Sequence, residues 1–251
     1  MAGLVRLRII FYISVLAMFI SNMVYMRQFR KNRPSNDERL LAFKDLEYRF
    51  FTTWTFILHI AYACFGMFCD YLLLKNASKK NYKLPQAMGD FREIVFAGLV
   101  WPCSLVVFSV FWGLYSIDRN LIFPEFLDSV IPPISNHVIH TMILPVVLLE
   151  VVFRPRKEPK THARNIAQLT LHLSVYLCVL LFTHKERGIW LYPIFRQLYG
   201  TIYFPLALAG AAVLFYIFYY TQWPITNMIH GGKKTKEAKK VQKVDKKKKT
   251  K

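Results

Sequence analysis

Apolar positions in this chain run in six long blocks, separated by short stretches rich in lysine, arginine and acid. The blocks are about Leu7–Met26, Phe50–Leu74, Ile94–Ser116, Asn136–Phe153, Ala167–Thr183 and Gly200–Thr221. A bilayer span needs about 20 mostly apolar residues, so each block is expected to form a transmembrane helix, the fourth and fifth being short. The pattern predicts an all-α, polytopic integral membrane protein. A six-helix membrane domain covers 1–229, and a disordered, lysine-rich tail covers 230–251. The first block opens with Arg6 and Arg8, as a signal peptide would, but its apolar run exceeds the roughly 7–15 residues of such a leader. The following "SNMVYMRQFR" offers no small-residue cleavage site, so the block is read as a retained span.

Charge refines the picture. Of the formal +19, the stretch "GGKKTKEAKKVQKVDKKKKTK" supplies +9 through 11 lysines and two acids. Such a run stays solvated. On a multi-span protein it reads as a cytosolic anchor touching anionic lipid, with no nucleic acid expected as partner. With the N-terminus cytosolic, the stub, Lys75–Arg92, Arg154–Arg164 and the tail carry 23 basic residues, against 11 on the other side. That bias puts both termini in the cytosol. The "NAS" sequon at Asn76 then faces the cytosol and goes unused. The closing "KKTK" fits a di-lysine retrieval address for the endoplasmic reticulum, with the plasma membrane as alternative. Cys64, Cys69, Cys103 and Cys178 all fall within spans, where they serve as apolar filler.

Polar residues inside the blocks carry the candidate chemistry. The segment "ISNHVIHTMILPVVLLE" brings Asn136, His137, His140, Thr141 and Glu150 into the fourth span, and the second carries Thr52, Thr53, Thr55, His59 and Asp70. Both spans run inward from the non-cytosolic face. At 1.5 Å of rise per residue, Thr55 lies about 8 Å deep and His140 about 6 Å. A hydroxyl and an imidazole at one depth are a sufficient minimum for acyl transfer: the neutral ring takes the proton and the oxygen attacks an ester carbonyl. The same residue types equally suit helix-bridging contacts. His137 and His140 share a helix face, so metal or haem ligation, with His59 or His172 across the bundle, is a third reading. Asp70 reads as a snorkelling carboxylate and Glu150 as an i,i+4 partner of Arg154. Arg119 is either half of a loop salt bridge or a contact for a substrate carboxylate.

One run is specific. "VFWGLYSIDRNLIFPEFLDSVIPPISNHVIHTMILPVVLLE" carries Phe111-Trp112, Tyr115, Asp118-Arg119, Pro124, Leu127-Asp128, Ile131-Pro132, Asn136-His137, His140-Thr141 and Leu144-Pro145. With "GIWLYP" at 188–193 and "WTF" at 54–56, it closely resembles the family of androgen-induced gene 1 protein and androgen-dependent TFPI-regulating protein over most of residues 50–222. The resemblance implies a six-span hydrolase of fatty acid esters of hydroxy fatty acids, acting within membrane lipid and without cofactor or metal. Its catalytic threonine in span two corresponds to Thr55 and its histidine to His140. Asn136 is the candidate oxyanion donor, with His137 and Thr141 supporting. Protein partners are not indicated. The alternatives from other classes are a non-enzymatic lipid-binding regulator or scaffold and a haem-bearing electron carrier.

Overall fold

The computed structural model describes residues 2–32, 37–79 and 82–248, with side chains up to Gly231. Its helices are α1 (Ala2–Lys31), α2 (Glu38–Leu46), α3 (Phe51–Lys75), α4 (Gln86–Val95), α5 (Trp101–Ile117), α6 (Pro133–His140), α7 (Ile143–Phe153), α8 (Ala163–Arg187), α9 (Pro193–Leu198) and α10 (Tyr203–Lys248). Among the described residues six stretches are long and apolar enough to cross a membrane: Gly3–Lys31, Phe51–Lys75, Gln86–Ile117, Pro133–Phe153, Ala163–Arg187 and Tyr203–Gly231. The protein is an all-helical, multi-pass membrane protein. The first, third and fifth of these stretches overrun their apolar blocks at both ends, because lysine and arginine stems continue a helix while their charges reach the polar boundary. The tail expected to be disordered lies, from 232 on, outside the residues whose side chains are described.

Two prolines shape the spans. The third is α4 and α5 joined by a wider turn, Phe96–Val100, just ahead of Pro102. A proline removes the N–H that would bond back along the helix and crowds the carbonyl four residues earlier. There Gly98 admits α8: a Cβ on it would sit 3.1 Å from Gln168 Oε1 and 3.3 Å from the Asn165 carbonyl. The fourth span breaks at Thr141-Met142, four residues before Pro145, which separates α6 from α7. Broken helices at membrane depth are tolerated where they face protein or a cavity. This break sets His140 at the end of α6.

Lipid removes most of the hydrophobic drive between helices, so packing and hydrogen bonds must hold them. α1 lies antiparallel to α3, with Tyr12 seated on Gly66, where a Cβ would stand 2.8 Å from its ring. Beside it a buried polar cluster ties four helices. Asp70 accepts Arg8 at 2.9 and 2.8 Å and Arg92 at 3.1 Å twice. Glu150 accepts the hydroxyls of Tyr12 and Tyr62 at 2.6 Å each and Arg156 at 2.8 Å. Asp70 is therefore no snorkelling carboxylate, being 0% exposed. Nor does Glu150 pair with Arg154, which bonds Glu93 instead. Spacing along one helix missed both, because the partners come from other spans. Burial alone would lower the Arg156 pKa, but the facing Tyr62, Glu150 and Glu93 raise it, so it carries full charge in the cluster.

Between the first and second spans the chain forms α2, an element composition did not indicate. Asp37 caps it by accepting the Arg39 N–H at 2.9 Å. Phe43 and Lys44 of this short helix border the cavity described next.

Candidate active site

A chamber of about 1580 Å³ occupies the half of the bundle remote from the N-terminus. Its walls come from the end of α1, the start of α3, the end of α5, the middle of α8 and the start of α10, with α2 across one side. Phe51, Phe56, Val107, Phe111, Leu173 and Phe215 make most of its inner surface apolar. Thr52, Thr53 and His140 open onto it.

Three anchors fix the start of α3. The orphan N–H of Phe51, which helix geometry leaves unpaired, donates to the hydroxyls of Tyr176 and Tyr192 at 3.0 and 2.9 Å. Thr53 Oγ1 donates to the Glu47 carbonyl at 2.7 Å and Trp54 Nε1 to the Tyr48 carbonyl at 2.8 Å. Tyr192 belongs to "GIWLYP", so that motif clamps the turn bearing Thr52. Gly188 closes α8 in the left-handed region, φ 68°, where glycine is favoured.

His140 is held on three sides. Phe111 stacks on its ring at 3.5 Å and 8° between planes. Its Nδ1 faces Asn136 Oδ1 at 2.7 Å and the Asn136 backbone carbonyl at 3.2 Å. A backbone carbonyl only accepts, so Nδ1 carries the proton and Nε2 the lone pair. Nε2 points to Thr52 Oγ1 at 3.4 Å. The distance is loose, as such contacts often are without substrate. Thr52, His140 and Asn136 thus form one line of hydroxyl, imidazole and amide.

The hydroxyl facing the imidazole is Thr52, not Thr55. Thr55 is 1% exposed, its Oγ1 has no hydrogen-bond partner, and it does not line the chamber. Counting depth along two ideal parallel rods could not separate two threonines one turn apart on one face. Asn136, expected as an oxyanion donor, instead accepts from His140. His137 is exposed: its Nδ1 pairs with Thr141 Oγ1 at 3.0 Å, and its ring stacks on Trp112, which donates to Thr141 at 3.1 Å. This second cluster braces α6 against α5 from behind. Arg119 is bound to Asp128 at 2.9 and 2.8 Å and does not border the chamber. The histidines weighed as haem ligands have separate neighbours. His59 pairs with Ser104 at 2.7 Å, while His172 packs on Phe51 and Trp54. Among the described residues no group of three or more His, Cys, Asp or Glu could hold a metal.

The family model described as FAR-17a/AIG1-like protein matches residues 7–226. The chain belongs to this family. It is 35% identical to the human androgen-dependent TFPI-regulating protein over 156 residues, 62% of this chain and 63% of that protein. The rat protein of that name is 31% identical over 191 residues, covering 75% of this chain and 79% of its own length. The human androgen-induced gene 1 protein is 31% identical over 109 residues, 43% and 45% of the two chains. No solved structure matches. The line Thr52, His140 and Asn136 lies inside the family match, on spans two and four.

Proposed function

We propose that this FAR-17a/AIG1-like membrane protein is an intramembrane threonine hydrolase that cleaves fatty acid esters of hydroxy fatty acids, with Thr52 as nucleophile. The observation that carries the reading is Nε2 of His140 facing Thr52 Oγ1 inside an apolar chamber, while Nδ1 is fixed by Asn136. In the reaction His140 Nε2 takes the Thr52 proton as Oγ bonds to the ester carbonyl carbon. The tetrahedral adduct collapses, the bond to the alkoxide of the hydroxy acid breaks, and that oxygen takes the proton from Nε2. Water then gives a proton to Nε2 and adds to the acyl-threonine. Collapse releases the fatty acid and returns the proton to Thr52. The cycle needs no cofactor.

The chamber mouth supports a substrate that is itself an acid. Arg27, Arg30, Lys31 and Lys44 border it, against the carboxylate of Glu47, which Arg30 binds. Arg27, Lys31 and Lys44 are left to meet a free carboxylate while the acyl chains lie among the aromatic walls. On this reading the mouth faces away from the cytosol, both termini are cytosolic, and "KKTK" returns the protein to the endoplasmic reticulum. Purified full-length protein in liposomes, supplied with such an ester, is expected to release fatty acid and to be labelled by a fluorophosphonate. Both signals should vanish in Thr52→Ala and His140→Ala. Tight binding of the ester without turnover would instead identify a lipid-binding regulator.

A further inference from the structure

We propose that Asn22 is the oxyanion donor of this site, its carboxamide N–H bonding the substrate carbonyl oxygen as Thr52 adds to the carbon. The inference rests on the hydrolase reading above. It starts from α1, whose buried stripe runs Tyr12, Val15, Phe19, Asn22 at alternating steps of three and four residues. Packing alone would put a hydrocarbon at the fourth position. Instead a carboxamide stands there, 5% exposed and bordering the chamber.

Its hydrogen-bonding capacity is almost unused. Oδ1 has no partner, and Nδ2 reaches only the Met26 thioether sulfur at 3.6 Å, a weak acceptor. A buried amide without partners is costly, which points to a ligand atom as its missing partner. The register of α1 on α3 gives the height. Tyr12 sits on Gly66, the Phe19 ring meets Phe56 at 4.8 Å and His59 at 5.7 Å, and Arg30 binds Glu47. Asn22, three residues past Phe19 on an antiparallel helix, therefore comes level with the turn holding Thr52 and Thr55.

The chemistry at that height requires a donor. Addition of Oγ to the ester carbon pushes the carbonyl π pair onto oxygen, and that charge must be met by N–H or O–H groups already in position. Asn136 is occupied by His140, and the Thr53 hydroxyl donates to the Glu47 carbonyl. Asn22 is the one carboxamide among the described residues lining the chamber. A half-turn about its last bond exchanges its nitrogen and oxygen, so the amide can turn its N–H groups to the substrate at no cost beyond the thioether contact. The rival role is structural, a buried asparagine that sets helix register.

Asn22→Leu separates the two roles, since it keeps the shape and removes the donor. With p-nitrophenyl palmitate and the full chain in liposomes, kcat is expected to fall about 10²–10³-fold with KM little changed. The thermal midpoint should hold or rise, because an unpartnered polar group has gone. Turnover at the wild-type rate overturns the proposal, and so does a loss of turnover that tracks a lowered midpoint. Should Asn22→Leu fail to accumulate, Asn22→Ala is judged on the same kcat and KM criteria, with turnover counted per molecule of purified folded protein. Turnover that survives Thr52→Ala would remove Thr52 as nucleophile, and a wild-type protein without turnover would sink the hydrolase reading itself; an Asn22 variant of normal rate beside an inactive Thr52→Ala sinks only this inference.

Discussion

Thr52 and Thr55 stand one turn apart on the same face of α3, yet only Thr52 meets the His140 imidazole, at 3.4 Å. Thr55 is sealed behind it with an unpaired hydroxyl. Thr52→Ala is therefore expected to cost at least about 10³-fold in turnover, as losing a nucleophile does when substrate binding and its surroundings stay intact. Thr55→Val should leave turnover near wild type and the fold as stable or more so, since it exchanges an unsatisfied hydroxyl for a methyl. Ester hydrolysis by the two purified variants decides between them. The reverse result would return the nucleophile to Thr55.

Asn136 acts twice on one nitrogen, through its side-chain oxygen at 2.7 Å and its backbone carbonyl at 3.2 Å. Asn136→Ala removes only the first. The remaining carbonyl still demands a proton on Nδ1, so the ring keeps its tautomer and loses part of its rigidity. Turnover is expected to fall measurably, but by far less than the roughly 10⁴-fold that accompanies the wrong tautomer in a catalytic triad. A loss as deep as that of His140→Ala would mean the amide, not the carbonyl, fixes the proton.

The membrane architecture was legible because apolar block length needs no knowledge of partners. His140 was legible for a related reason: a histidine among hydrocarbon stands out, and the surrounding pattern carries the resemblance. What could not be read is what depends on neighbours from other spans. Thr52 and Thr55 share a face and differ by one turn along it, and three anchors on Phe51, Thr53 and Trp54 hold the turn that brings Thr52 to the imidazole. Asp70 and Glu150 found partners in α1, α4 and the residues after α7 that spacing along their own helices does not encode. Pro145 was the overlooked signal, since a proline four residues after Thr141 foretells the break that ends α6 at His140.

Arg119 and the mouth cations make opposite forecasts. Arg119 is satisfied by Asp128, a partly exposed ion pair of the kind worth at most about 1 kcal/mol. Arg119→Ala is expected to leave KM for an acid-bearing ester unchanged. Lys31→Ala with Lys44→Ala removes two cations at the chamber mouth that no carboxylate among the described residues engages, and should raise KM for that ester several-fold. The same pair should barely alter KM for the methyl ester of that substrate. Equal effects on the acid and its methyl ester would mean that the cations touch lipid headgroups rather than substrate.

Asp70 and Arg92 make the sharpest stability forecast. Both are essentially out of contact with solvent, at 0% and 1% side-chain exposure, so removing either leaves the other's charge buried without its main partner. Breaking such a pair typically costs about 3–5 kcal/mol, whereas replacing the whole pair by packed hydrocarbon is often neutral. Asp70→Ala is therefore expected to lower the thermal midpoint steeply, and Asp70→Leu with Arg92→Met to recover much of the loss, provided Arg8 is changed as well because it too binds Asp70. The cluster lies toward the opposite end of α3 from Thr52, so turnover per fluorophosphonate-labelled molecule should stay near wild type in every variant that folds. Asp70→Ala with an undisturbed midpoint would mean that water reaches this carboxylate and that the cluster is not what holds α1, α3 and α4 together.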